Sequence, residues 1–273
     1  MELTDLRVIS YGGGVQSTAM LVLAAQGKLP HGPYTAALFS NVGDDSEHPA
    51  TLKYVRDVAI PWAASNGLEV VELARVMRDG SKRTLWEDLM RDSRTINIPV
   101  RMANGAPGNR NCTHTYKMKV VGKWLKERGA SVDNPATVAI GISTDEIIRV
   151  NNKKAQQYEK PVYPLIDLGL DRSRCMSVIA EAGLPVPPKS SCFFCPFHRP
   201  QMWAEMRRDE PELFEKAAVL EETLNERRER LGKDHVYLTR FAQPLREAIS
   251  SADQMLPIFA PDTDTCDEGY CWT

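Results

Sequence analysis

No stretch of this 273-residue chain stays apolar for the roughly 20 residues that a membrane-spanning helix needs. Its first residues, Met1-Glu2-Leu3-Thr4-Asp5, are acidic and show no secretory-leader pattern. A membrane partner is therefore not expected, and a cytoplasmic location is. An excess of one charge is lacking as well: 34 Lys and Arg stand against 36 Asp and Glu, a formal net charge of −2. The chain as a whole has no electrostatic footprint for nucleic acid, which leaves a local basic face open. There is no internal repeat. Cysteine is scarce, with six residues, and in a reducing compartment these read as metal ligands or redox groups rather than disulfides. The remaining composition, 42% hydrophobic and 26% charged, suits one large α/β domain or a domain with an extension.

What the chain does have is Arg7-Val8-Ile9-Ser10-Tyr11-Gly12-Gly13-Gly14-Val15-Gln16-Ser17-Thr18-Ala19-Met20. An apolar run meets three glycines, two hydroxyl residues and a second apolar run, which predicts strand, tight loop and helix. Such a loop brings backbone N–H groups close to a phosphate, and the helix start adds partial positive charge. Ser17 and Thr18 stand where a hydroxyl would cap the helix or bind a phosphate oxygen. Two common phosphate loops fit poorly. A dinucleotide fingerprint would need glycine where Ser17 stands, and a Walker loop would need lysine before Ser17 or Thr18. A strand-to-helix turn without ligand is the plain alternative.

Further strands are predicted at 34–40, 68–73 and 137–142, and helices at 17–26, 49–64, 116–128, 171–182 and through the charged stretch 201–231. Alternating strands and helices predict an α/β fold, a doubly wound, mostly parallel sheet, with a helical C-terminal extension. The domain reading is 1–200 for the nucleotide-binding part and 201–273 for the extension. Ligands of such sheets bind beyond the carboxyl ends of the strands. The glycine loop and the turn-rich segment Asn41-Val42-Gly43-Asp44-Asp45 both belong there. The run Arg227-Arg228-Glu229-Arg230 reads as an exposed helix face, with nucleic-acid contact as the alternative. Cys175 reads as a core residue, and His235 as structural.

Four further segments carry chemistry. They are Phe39 to Pro49, Gly141-Ile142-Ser143-Thr144-Asp145-Glu146-Ile147-Ile148-Arg149, Arg110-Asn111-Cys112-Thr113-His114-Thr115-Tyr116-Lys117, and Lys189-Ser190-Ser191-Cys192-Phe193-Phe194-Cys195-Pro196-Phe197-His198. A Cys-x-x-Cys pair places two thiolates near enough to chelate one metal or one cluster edge. With Cys112 and His198 the set also suits Zn²⁺; a redox dithiol and inert buried thiols follow in that order. Arg101, Arg110, Lys117 and Lys119 surround Cys112 and offer charge to an anionic substrate.

Together with the glycine loop, these segments resemble, over residues 6–200, the PP-loop or adenine nucleotide alpha-hydrolase-like superfamily. The resemblance is closest to its phosphoadenosine phosphosulfate (PAPS) reductase-like members. It implies a loop of the form Ser-Gly-Gly-x-Asp-Ser around a nucleotide pyrophosphate; here Gly12 replaces the serine and Gln16 the aspartate. Nucleotide contacts are implied for Ser10, Gly12, Gly13, Gly14, Gln16, Ser17, Thr18, Asn41, Gly43, Gly141 and Ser143, with Asp145 and Arg149 at the reacting centre. Cys112, Cys192 and Cys195 are implied ligands of a [4Fe-4S] cluster. The implied reaction uses ATP and Mg²⁺ to adenylate a substrate oxygen. Sulfur bound to the cluster or to a cysteine, with a donor protein as a further partner, then replaces AMP on a nucleic-acid or small-molecule acceptor. Sulfonucleotide reductases instead attack with a tail cysteine, for which Cys266 and Cys271 are the candidates. A nucleotide-binding regulator without catalysis is the third reading, and Gln16 is its main support.

Overall fold

The computed structural model of the protein describes residues 5–152 and 156–250. Five strands, β1 (Arg7–Tyr11), β2 (Ala36–Asn41), β3 (Glu69–Ala74), β4 (Ala136–Ile140) and β5 (Glu159–Val162), form one sheet in the order β3-β2-β1-β4-β5. Every pairing is parallel, with Ser10 opposite both Leu38 and Ile140. The α/β fold with a helical C-terminal part is thus the fold observed. No helix among the described residues is long and apolar enough to cross a membrane.

Parallel strands must be buried on both faces, and β2 is buried at all six positions. Successive side chains point to opposite faces. Ile9, Tyr11, Ala37, Phe39 and Ala139 pack beneath α1 (Val15–Ala25), beneath α2 (Pro49–Tyr54), which continues through the π turn Val55–Ala59 into α3 (Ile60–Ser65), and beneath a later helix at Arg172–Glu181. The intervening residues Val8, Ala36, Leu38, Val138 and Ile140 meet Val121, Trp124 and Leu125 on the opposite face.

Between β3 and β4 the chain forms α4 (Leu85–Met90), then the π turn Thr113–Met118 that runs into α5 (Lys119–Glu127). The start of α4 is fixed by a capping box in which Thr84 and Glu87 exchange side-chain-to-backbone bonds. After β4 come a 3₁₀ segment (Thr144–Asn152), β5, α6 (Pro164–Asp167) and α7, the helix at Arg172–Glu181. The charged stretch expected as one helix is two, α8 (Pro200–Asp209) and α9 (Pro211–Arg230), followed by α10 (Leu245–Ser250). Glu210 has φ −135° and ψ 57° because a residue before proline is pushed out of the helical region, while Pro211 itself suits a first turn.

The C-terminal helices share a core with earlier residues. Trp203, Phe214, Leu220 and Leu224 cluster with Leu85, Leu89, Tyr116, Phe193 and Phe194. The cysteine-bearing segment is therefore clamped between the sheet domain and α8–α9. Arg227, expected on an exposed face, is buried, and its guanidinium donates to the carbonyls of Leu89, at 2.9 Å, and Arg91. It fastens α9 to the end of α4. His235 pairs with Glu229 at 2.6 Å, and Cys175 is fully buried in the core.

Candidate functional site

At the carboxyl end of β1 the chain must turn sharply from strand into helix. Gly13 does this at φ 74°, a conformation that costs glycine little. A Cβ there would lie 2.9 Å from Val55 Cγ2 and 3.1 Å from Thr51 Cγ2. Gly14 is the N-cap of α1, with no side chain to cap it. Ser17 closes the loop: its hydroxyl accepts from Gly12 N at 3.2 Å and donates to Gly14 O at 3.1 Å. The Thr18 hydroxyl turns inward to Tyr11 OH at 3.3 Å. Both hydroxyls offered by the sequence as cap or phosphate ligand are engaged inside the loop and strand. What the loop offers a ligand is the backbone N–H groups and partial positive charge of the α1 start. Ser10, one strand position earlier, is buried.

The opposite wall follows β4. Strands β2 and β3 lie to one side of β1, and β4 and β5 to the other, so the β1–β4 edge is the switch point where ligands of such sheets bind. Gly141 comes so close to α1 that a Cβ on it would lie 3.2 Å from Ser17 N and 3.1 Å from Met20 Cε. Behind it, Gln16 Nε2 reaches buried Ser143 Oγ and Glu146 Oε2, both at 3.4 Å, and Gln16 Oε1 accepts from Arg172 at 3.4 Å. Arg149 holds the same Glu146 oxygen at 2.5 Å. Burial pushes the Glu146 carboxyl up, against the pull of Arg149. The structure thus brings Gln16, Ser143, Glu146 and Arg149 together and leaves Asp145 exposed. Arg172, which completes the group from α7, carried no signal in the sequence.

Beyond β2 the arrangement is a brace. Asn41 donates to Asp44 at 2.7 Å and to Glu72 at 2.8 Å, and accepts from Gly43 N at 2.8 Å. Arg56 forks across Asp44 and Glu72 and holds both carboxyls below their usual range. The brace fixes the turn after β2 against β3.

The cysteine segment lies along that turn. Glu47 and Cys192 form an antiparallel bridge, His48 N donates to Ser191 O at 3.0 Å, and Phe193 N donates to Ser46 O at 3.2 Å. The segment also reaches the glycine loop, since a Cβ on Gly14 would stand 2.9 Å from Ser190 Oγ. Cys195 N donates to Cys192 O at 3.1 Å, which folds the Cys-x-x-Cys turn, and Cys112 precedes the π turn Thr113–Met118. Turns of this type recur at functional sites. Burial pushes the Cys192 thiol well up; Glu47, Cys195 and Cys112 add to the shift, and Lys117 opposes it. Glu47 is itself buried, and its carboxyl is pushed up by that burial. The three cysteines thus share one neighbourhood with a carboxylate that the sequence did not connect to them.

Among the described residues, no three His, Cys, Asp or Glu side chains converge tightly enough, as they stand, to hold a metal ion. The donor chemistry nonetheless fits a thiophilic centre. A positive centre beside Glu47 and Cys192 would reverse the shifts of both groups, because a coordinated thiol loses its proton outright. His198, the zinc alternative's fourth ligand, is buried and directs Nε2 to Ser191 Oγ at 2.9 Å. The tail candidates Cys266 and Cys271 lie outside the described residues. Neither a scan against protein-family models nor a search of curated proteins finds a match to this chain.

Proposed function

We propose that this chain is an ATP-dependent PP-loop enzyme of the PAPS reductase-like kind, acting in the cytoplasm. One observation carries the reading. The glycine loop meets the β4 loop at the switch point on one side and the cysteine segment, through Ser190, on the other. A nucleotide whose phosphates rest on the start of α1 would lie between a half-buried Glu146–Arg149 pair and a group of thiols.

In this reading an acceptor oxygen attacks the α-phosphorus of ATP, the bond to the bridging oxygen breaks, and pyrophosphate leaves. The backbone N–H groups of the loop stabilise its developing charge, and Mg²⁺ bound with the phosphates would neutralise more of it. Gln16 stands where the resemblance implies an aspartate. Its amide ties the loop to Glu146, so that carboxylate is held beside the start of α1. Cys112, Cys192 and Cys195 would hold an iron–sulfur cluster, or zinc in the alternative. When bound, the cluster would supply an iron site for the sulfur that replaces AMP, drawn from a donor protein.

The test is anaerobic purification followed by metal analysis and turnover of α-labelled ATP. The expected result is iron and sulfide bound to the protein, lost in Cys192→Ser, together with AMP and pyrophosphate in equal amounts. A colourless protein with one zinc overturns the cluster. Sulfite release from PAPS without pyrophosphate formation establishes reductase chemistry instead. Binding of ATP with no product identifies the regulator.

A further inference from the structure

Away from the crevice, α5 carries a ladder of charge. Lys119, Lys123 and Lys126 are exposed, while Val121, Trp124 and Leu125 of the same helix are buried. At ~1.5 Å rise per residue the three lysines span about 10 Å. They border two adjoining hollows of about 630 and 400 Å³, which share Lys119, Lys123 and Glu127 and so form one trench. Lys82 and Arg75 line it beside the end of β3, and Tyr158 lines its far part.

Tyr158 rests on α5 because position 122 is glycine. A Cβ on Gly122 would lie 2.3 Å from the phenol oxygen and 2.9 Å from Cζ. Lys126 Nζ stands 4.3 Å from the centre of the Tyr158 ring. The trench also contains acids, but Glu127 pairs with Lys123 at 3.7 Å and Glu72 is held by Arg56. Neither Lys82 nor Lys119 makes an ion pair with another described residue. In a chain of net charge −2, the positive charge here is a local concentration.

We infer that this trench binds a single nucleic-acid strand, with the lysines on successive phosphates and Tyr158 against a base. Repeated cations answer a repeated phosphate charge, and an aromatic face beside them answers a nucleobase. An acidic peptide would use the lysines alone, whereas a base can also take the place of Lys126 over the ring. His114 and Thr115, which line the trench, follow Cys112 by two and three residues, so one wall of the trench is built from the segment that carries Cys112. The inference makes nucleic acid the acceptor class, and it rests on the proposed function for the chemistry performed on that strand.

The test is fluorescence anisotropy of the full chain with labelled single-stranded RNA and DNA, with ATP binding titrated in parallel. The wild type is expected to bind one or both strands, more weakly as salt rises. Lys119→Gln, Lys123→Gln and Lys126→Gln combined should lower affinity at least ~10-fold and flatten the log–log salt slope by about 2. Tyr158→Leu should lower affinity about 10-fold with the slope unchanged. Both variants should bind ATP as the wild type does. If ATP fails to bind while the strands do, the nucleotide reading falls and the trench stands. The trench is overturned if the wild type binds neither strand at low salt, if oligoglutamate competes as well as an oligonucleotide, or if the lysine variant keeps the wild-type slope.

Discussion

Alanine at Gly13 is expected to destabilise the protein by about 2–5 kcal/mol and to weaken ATP binding at least ~10-fold. Two costs combine. The left-handed backbone at φ 74° disfavours any side chain with a Cβ by about 1–2 kcal/mol. The new methyl would also press on Val55 and Thr51, both fully buried, and overpacking of this kind costs about 1–3 kcal/mol. Relief requires the loop to shift, which moves the N–H groups that face the phosphates. Gly27 provides the matched control: it has φ 68°, and a Cβ there would have no atom within 4 Å, so Gly27→Ala should show the backbone cost alone and full ATP affinity. Urea unfolding and ATP titration of both variants check this. Equal destabilisation with equal affinity would remove the loop from the site.

Acidification from pH 8 to 5 should stabilise the wild type relative to Glu221→Gln by up to about 3 kcal/mol. Glu221 is 3% exposed and accepts from Leu238 N at 2.6 Å and Leu245 N at 2.7 Å. Burial pushes its carboxyl up to about 7 from 4.5, against the pull of those two N–H groups. The folded state therefore takes up a proton as pH falls through 7, and the unfolded chain takes it up only near 4.5. Between those values the folded state binds more protons, so stability rises as pH falls and is lost again as pH rises through 7. Glutamine removes the titration and keeps one of the two acceptors; its NH2 faces the other backbone N–H, a cost that does not change with pH. Urea unfolding of the two proteins across this range measures the difference, and parallel curves would show that Glu221 titrates normally.

The sequence revealed the sheet where burial is two-sided. β2 and β4 are near-continuous apolar runs, and their places agree with the structure to within about two residues, the usual uncertainty of element ends. β5 was missed because Glu159-Lys160-Pro161-Val162 is an edge strand, where a proline and charged residues are tolerated. α4 was missed although Thr84 and Glu87 carry a capping-box signal, because only six residues follow the cap. Of the site, Gln16, Ser143 and Arg149 were legible as positions, and Cys112, Cys192 and Cys195 as a motif. Their partners were not. Arg172 meets Gln16 across 156 residues, and Glu47 meets Cys192 only because two loops pair edge to edge. Such contacts are made by topology, and no local pattern records them. The trench is intermediate: the lysine spacing on α5 is written in the sequence, but the placement of Tyr158 against Gly122 is not.

The central claim is that a nucleotide binds where the glycine loop and the β4 loop meet, and calorimetric titration of the full chain with Mg-ATP tests it most directly. The account predicts one site in the wild type and none in Gly141→Val, whose added side chain would press on Ser17 N and Met20 while the far-ultraviolet circular dichroism stays unchanged. An equal affinity in the two proteins, or no heat with ATP or PAPS in the wild type, would contradict it.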